Sequence, residues 1–385
     1  MRVPSSGNKN IVLHYQASLG KTIQPTKQEK KIMALSVALR SLNPALKSFA
    51  EATPRYAYGG IHIKSPEACQ RIIDRLDLRD KYNSSKLDIL DIYPGYGQFS
   101  TMLNYELKPR NHVIFEPRKD LTTYWENRLA HLKDTTGNAE NFKMSNLNPY
   151  FWSTYANIYR NDVIPPTTVK SYDKMHDELL VVANWTGRGE ESIIAQWMHC
   201  CGNRNWLAQY GKVRLVVFCL PESAQKFTAM PGNKKRKRSS LIRELYTEMN
   251  LVGIEQSDFQ TGEGYDPRTL VKDQPVVISK SETLRDKDIA VIEMSTGKYT
   301  SNQISNIMHL LSQMFHNSHP IRDSLPRFGP GGEYLEKLIP AEILDKGGFH
   351  LTAEDVLEIS AAYEKWPFKP PIEDTIDIEE DIDGF

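Results

Sequence analysis

Several common ingredients are missing from this 385-residue chain, and each absence excludes something. Its four cysteines (Cys69, Cys200, Cys201 and Cys219) fall in no paired spacing, which excludes a zinc module and a disulfide framework. They read as buried thiols of a reducing compartment. No metal site is expected. No apolar run approaches membrane-spanning length, so a soluble protein without membrane contact is expected. There are no internal repeats, which excludes a solenoid. Net charge is zero, so overall charge points to no partner, yet the balance is uneven along the chain. Residues 1–50 hold eight Lys/Arg against a single acid, Glu29, and residues 373–385 hold seven acids and no base.

What is present is an ordinary globular composition, 40% hydrophobic and 25% charged, with length for two domains. The basic first fifty residues, with an amphipathic stretch IMALSVALRSL at 32–42, suit a mitochondrial presequence or a basic arm. SPEACQRIIDRL then opens a helix, with Ser65 as cap and Pro66 at the first helical position. Short apolar strands follow at 87–92, 112–117, 178–185, 213–220 and 288–295, with helical candidates such as 191–200 between them. Apolar strands alternating with helices predict a parallel sheet covered on both faces. The polar stretch 255–287 reads as a hairpin insertion. From residue 299 the pattern turns helical, with apolar positions at 304, 307, 308, 311 and 315 and a capping box at Thr352–Asp355. The expected organisation is a basic extension over 1–52, an α/β domain over 53–298, a small helical domain over 299–370 and an acidic tail over 371–385.

One turn carries the chemistry. After the first strand comes YPGYG, in which Gly95 and Gly97 allow a tight bend and Ser100 stands at the third small position. Glu116 closes the second strand, where an acid accepts hydrogen bonds from ribose hydroxyls. The pattern matches an S-adenosylmethionine site, except that Tyr93 occupies the place of a first glycine. At the end of the fourth strand, where a base methyltransferase needs an amide acceptor, a proline and a stacking aromatic, the chain reads Asn184, Trp185, Thr186, Gly187. Only the asparagine suits that reaction.

LDIYPGYG, NPYFWSTY (148–155), VANWTGRGEESIIAQWMHCCGNRNWLAQYGKV (182–213), AMPG (229–232) and EKWPFKP (364–370) fall in order along the chain. They make it resemble the ribosomal RNA adenine N6-dimethyltransferase superfamily over about residues 55–380, and within it the fungal mitochondrial transcription factor B branch. The resemblance implies a Rossmann-like S-adenosylmethionine-dependent methyltransferase fold with a C-terminal helical domain. It implies a place in the mitochondrial matrix, mitochondrial RNA polymerase as partner, and a melted non-template promoter strand as ligand. It also implies that Tyr150 and Trp152 hold non-template bases, with Asn184 and Trp185 beside them. Against the active enzymes of the superfamily the chain departs three times: AYGGIHI (57–63) replaces Gln-Asn-Phe-Leu, Asn148 replaces the acid on the cofactor's adenine, and NWTG replaces the catalytic loop. No catalytic residue and no required cofactor are therefore expected, and Tyr93, Gly95, Gly97, Glu116, Asn148 and Asn184 read as a vestigial S-adenosylmethionine site.

Aromatic faces stack unpaired bases without a sequence code, at about 1–3 kcal/mol each. Lys234, Lys235, Arg236, Lys237 and Arg238, with Arg243 beyond, suit contact with phosphates. The acidic tail suits a basic surface on a polymerase. The rival reading is an active RNA adenine dimethyltransferase, favoured by Gly95, Gly97 and Glu116 and opposed by the loop departures. A third is a methyltransferase-like RNA-binding assembly factor for the mitochondrial ribosome.

Overall fold

The computed structural model describes residue 42 and residues 60–135, 138–301, 307–315 and 319–370. The basic extension, apart from Leu42, and the acidic tail lie outside the described residues.

Eight strands form one sheet: β1 (Asp88–Ile92), β2 (Asn111–Phe115), β3 (Phe142–Ser145), β4 (Met175–Trp185), β5 (Lys212–Cys219), β6 (Thr247–Glu255), β7 (Val276–Ile278) and β8 (Ala290–Thr296). Their order across the sheet is β3-β2-β1-β4-β5-β8-β6-β7. The pairs β1/β2, β1/β4, β2/β3 and β4/β5 are parallel, while β8 runs antiparallel to both neighbours. Every residue of β1 and of β2 is buried, as near-continuous apolar runs require when helices cover both faces. The acids within β1 are partnered: Asp88 accepts from Arg110 (2.6 Å) and Asn111 (2.7 Å), and Asp91 pairs with His112 Nε2 (3.0 Å). Chain order reverses between β1 and β4, and such a switch point opens a crevice at the carboxyl ends of the strands.

Helix α1 (Pro66–Leu76) starts as expected, with the Ala68 amide donating to Ser65 Oγ at 3.1 Å. The layers are completed by α2 (Gln98–Leu107), α3 (Lys119–Thr135), α4 (Trp152–Arg160), α5 (Glu191–Asn203), α6 (Pro221–Thr228) and α7 (Arg238–Tyr246). One expectation is corrected. The stretch 255–287 is no simple hairpin: α8 (Gln256–Thr261) and α9 (Pro267–Asp273) cross over to β7, which pairs parallel with β6. The sign was Asp266-Pro267, where the Asp266 side chain accepts from the Arg268 amide at 2.9 Å and Pro267 opens α9.

The C-terminal part holds α10 (Ile307–Met314), tight turns over 321–328 and 332–337, α11 (Ala341–Leu344) and α12 (Ala353–Glu364). The capping box of α12 forms, Asp355 N donating to Thr352 Oγ1 (3.2 Å) and Thr352 N to Asp355 Oδ2 (2.8 Å). Leu310, Phe328, Val356 and Trp366 join the same apolar cluster as Leu90, Val181 and Leu215. Ile89, Leu180 and Val216, each one residue away from those three strand positions, face the other layer with Ile73 and Met102. All four cysteines are free and buried. No helix among the described residues is long and apolar enough to cross a membrane.

Candidate nucleic-acid interface and cofactor cleft

The turn between β1 and α2 takes left-handed backbone at Tyr93 (φ 52°), Gly95 (φ 60°) and Gly97 (φ 69°). For the tyrosine that conformation is strained, and it marks a constrained site. Both glycines are needed, but for the protein's own side chains. A Cβ at Gly95 would overlap the His62 ring, and one at Gly97 would overlap the Trp125 indole. Trp125 Nε1 also donates to Gly95 O at 2.8 Å.

His62 reaches this turn on a strap, Gly60–Lys64, laid across the crevice. The Ile61 amide donates to Thr186 Oγ1 (2.5 Å), and Asn184 Nδ2 donates to Ile61 O (2.8 Å) and lies 3.1 Å from His62 Nδ1. Thr186 Oγ1 donates to Asn184 Oδ1 (2.6 Å). The Asn184 amide is thus engaged at both ends, its nitrogen on the strap and its acceptor oxygen on Thr186. Burial, then the nearby Arg118 and Arg285, lowers the His62 pKa to about 3, so the imidazole is neutral.

The remaining candidate cofactor groups are also engaged. Glu116 accepts from Arg118 Nε and Nη2, each at 2.6 Å; burial raises its pKa while Arg118 pulls it back. Asn148 Oδ1 accepts from the Tyr150 amide at 3.0 Å. What remains of the crevice is a cavity of about 30 Å³ lined by His62, Asp91, Gly97, Ser100 and Asn184 among others. Small-molecule sites span roughly 300–1,000 Å³, whereas one water fills about 30 Å³. The residues present do not fit S-adenosylmethionine. Among the described residues no His/Cys/Asp/Glu group could hold a metal ion.

Beside the filled crevice the chain displays aromatic rings. Tyr150, Phe151 and Trp152 are 47%, 62% and 45% exposed. Asn148–Phe151 is a turn, closed by Phe151 N donating to Asn148 O (3.2 Å), and Trp152 opens α4. The Tyr150 ring lies 5.7 Å from Tyr93 and 5.3 Å from Trp185, and its hydroxyl donates to Glu190. The Trp152 ring lies 5.5 Å from Trp206, which lies 4.7 Å from Trp197. Trp185 is corrected as a nucleic-acid contact. It is 1% exposed and packs on Tyr93 and Trp197, so it supports the exposed rings and offers no face to a base.

The basic run divides. Lys234, Lys235, Lys237 and Arg238 are exposed. Arg236 is buried, donating to Ala229 O (2.9 Å), Leu351 O (2.7 Å) and Glu244 (2.6 Å). Arg243 is turned inward too, with Nε donating to Phe227 O at 2.8 Å. Both are corrected from phosphate ligands to internal ties. The sequence reading missed His62, Trp125, Glu190 and Trp206. Of these, His62 had a signal, a ring two residues after a Gly-Gly pair at the departing first loop.

A mostly parallel Rossmann-like sheet with a crevice at the carboxyl ends of β1 and β4 defines a methyltransferase-fold protein. The family model described as ribosomal RNA adenine dimethylase matches residues 52–352, and the chain belongs to that family. A dimethyladenosine transferase from Plasmodium falciparum shares the fold, with a TM-score of 0.52 and 13% identity over 79% of this chain and 98% of that one. Within the family, this is a fungal mitochondrial transcription-factor-like protein. It is 29% identical to mitochondrial transcription factor 1 of Saccharomyces cerevisiae over 337 residues, covering 86% of this chain and 94% of the relative. It is 27% identical to the factor of the same name from Lachancea kluyveri, covering 88% and 96%.

Proposed function

We propose that the chain is a transcription initiation factor of the mitochondrial matrix. It confers promoter recognition and melting on mitochondrial RNA polymerase and holds the displaced non-template strand. The observation that carries this reading is the exposed Tyr150–Trp152 turn on a buried aromatic bed, beside a cofactor crevice filled from within. Splayed bases stack on Tyr150 and Trp152, with Phe151 between them. The carboxyl ends of β4 and β6 lie on the same sheet edge, three strand spacings apart, roughly 15 Å. Lys234 and Lys235 line a cavity with Glu255 at the end of β6, so the exposed bases stand along that edge to meet phosphates of the same strand.

Run-off transcription with the cognate polymerase tests this. Changing Tyr150 and Trp152 to Ala is expected to impair initiation on duplex promoters and to matter less on premelted ones. Equal loss on both templates would remove the strand-holding role. The dimethyltransferase alternative predicts S-adenosylmethionine binding by calorimetry and methyl transfer to a small-subunit RNA hairpin; the closed crevice predicts neither.

A further inference from the structure

We propose that the strap Gly60–Lys64 is a built-in ligand of the cofactor crevice: the His62 imidazole stands where a small molecule would, and the strap sets the position of the Tyr150 ring through the Asn184–Glu190 loop. The part concerning Tyr150 rests on the base-holding role proposed above.

The strap is tied along both edges. On one side it bonds Thr186 and Asn184 through Ile61 and His62. On the other, Leu284 N donates to His62 O (2.8 Å), and Lys64 N and Ser65 N donate to Glu282 O (2.9 and 3.2 Å). Glu282 is itself held by Arg71 at 2.8 Å. Gly60 has no room for a side chain, because a Cβ would overlap Thr186 Oγ1 and Asn184 Oδ1. Between these edges His62 packs against Gly95 and is buried. Its Nδ1 accepts from Asn184, which leaves the proton on Nε2, and that atom has no hydrogen-bond partner. A buried polar atom without a partner is destabilising, because it has lost its hydrogen bonds to water. A ring seated there despite that cost supplies shape, filling the crevice as a ligand does.

From the strap a chain of contacts runs outward. Asn184 holds Thr186; the next residue, Gly187, donates its amide to Glu190 Oε2 (2.5 Å); and Glu190 Oε1 accepts the Tyr150 hydroxyl. A Cβ at Gly187 would overlap the Glu190 carboxylate, so this contact too is built to fit. The loop that handles the reacting amine in a dimethyltransferase thus serves here as a bracket between an internal ligand and an exposed ring. Glu190 is a positioning residue in this scheme.

The experiment uses the full chain. His62→Ala is expected to lower the melting temperature by about 5 °C or more. Millimolar imidazole is expected to restore the variant while leaving the wild type unmoved. Unchanged melting, or imidazole acting equally on both proteins, overturns the built-in ligand; if the variant does not fold alone, refolding it with and without imidazole gives the same two outcomes. Tyr150→Phe keeps the ring and removes the hydroxyl that Glu190 holds, so opening of a duplex promoter, read by a fluorescent base analogue, should fall part of the way towards the Tyr150→Ala level. Phe behaving as wild type while Ala is impaired overturns the positioning role and leaves base stacking standing. An unimpaired Ala variant strikes the base-holding reading instead, and the imidazole result is unaffected.

Discussion

The crevice at β1/β4 and the surface beside it share one sheet edge and have opposite characters. In the crevice the polar groups are turned inward: Glu116 onto Arg118, Asn184 onto the strap, and His62 and Trp125 against the two glycines. On the surface, rings and cations are left facing solvent. A pocket for a small molecule needs volume and unsatisfied polar groups, and a surface for a strand needs neither, only π-faces and charge within reach of a backbone. The crevice thus leaves little volume open, while the neighbouring surface leaves π-faces and charge open.

The two characters meet most sharply at Arg236, which sits in the run of exposed bases yet belongs to the interior. Arg236→Ala should cost about 3–5 kcal/mol in denaturant unfolding, because Glu244 and the carbonyls of Ala229 and Leu351 lose their donor. The neighbouring Lys235→Ala should leave stability within about 0.5 kcal/mol. Similar stabilities for the two variants would erase the distinction.

Tyr150→Ala should weaken binding of a single-stranded promoter segment by about 1–3 kcal/mol, checked by fluorescence anisotropy. Trp185→Ala should instead appear first as reduced stability, since its ring is buried.

The crevice also has a pH signature. The folded pKa of His62, about 3, lies below the ordinary value of 6.5, so below pH 6.5 the unfolded chain binds the proton that the folded protein refuses. Its contribution is complete above pH 6.5 and is lost as pH falls towards 3, the loss amounting to about 2 kcal/mol by pH 5. Burial shifts His176 and His199 the same way, while Glu255, raised to about 7, acts in the opposite direction. The measurement is therefore the difference between wild type and His62→Gln across pH 7 to 5, and parallel curves would refute it. The smallest effect concerns the exposed bases: replacing Lys234, Lys235 and Lys237 should reduce the salt slope of DNA binding by about one for each phosphate left unneutralised. An unchanged slope means these side chains are merely solvated.

Much of the frame was legible in the chain. β1, β2, β4 and β5 are apolar runs, and α1 and α12 carry caps that depend on neighbours three residues away. β3 and β7 were not, being short segments of four and three residues at the two ends of the sheet order, and β6 begins with polar residues. At the site, the altered turn at Tyr93 and the altered NWTG loop were legible as departures, but what replaced the cofactor was not. Likewise the aromatics of NPYFWSTY were visible, whereas nothing local separated Tyr150, half exposed, from Trp185, buried.

Local sequence was enough to set the alternation of strands and helices, the glycine turn, the caps and the ordered motifs of the family, because each depends on residues close together. It took the folded chain to place His62 in the crevice and to draw Arg236 out of the basic run. Those outcomes depend on partners 122 residues away at Asn184 and 115 residues away at Leu351. A side chain's burial is a property of what packs over it, and no local pattern records a neighbour that arrives from a distant part of the chain.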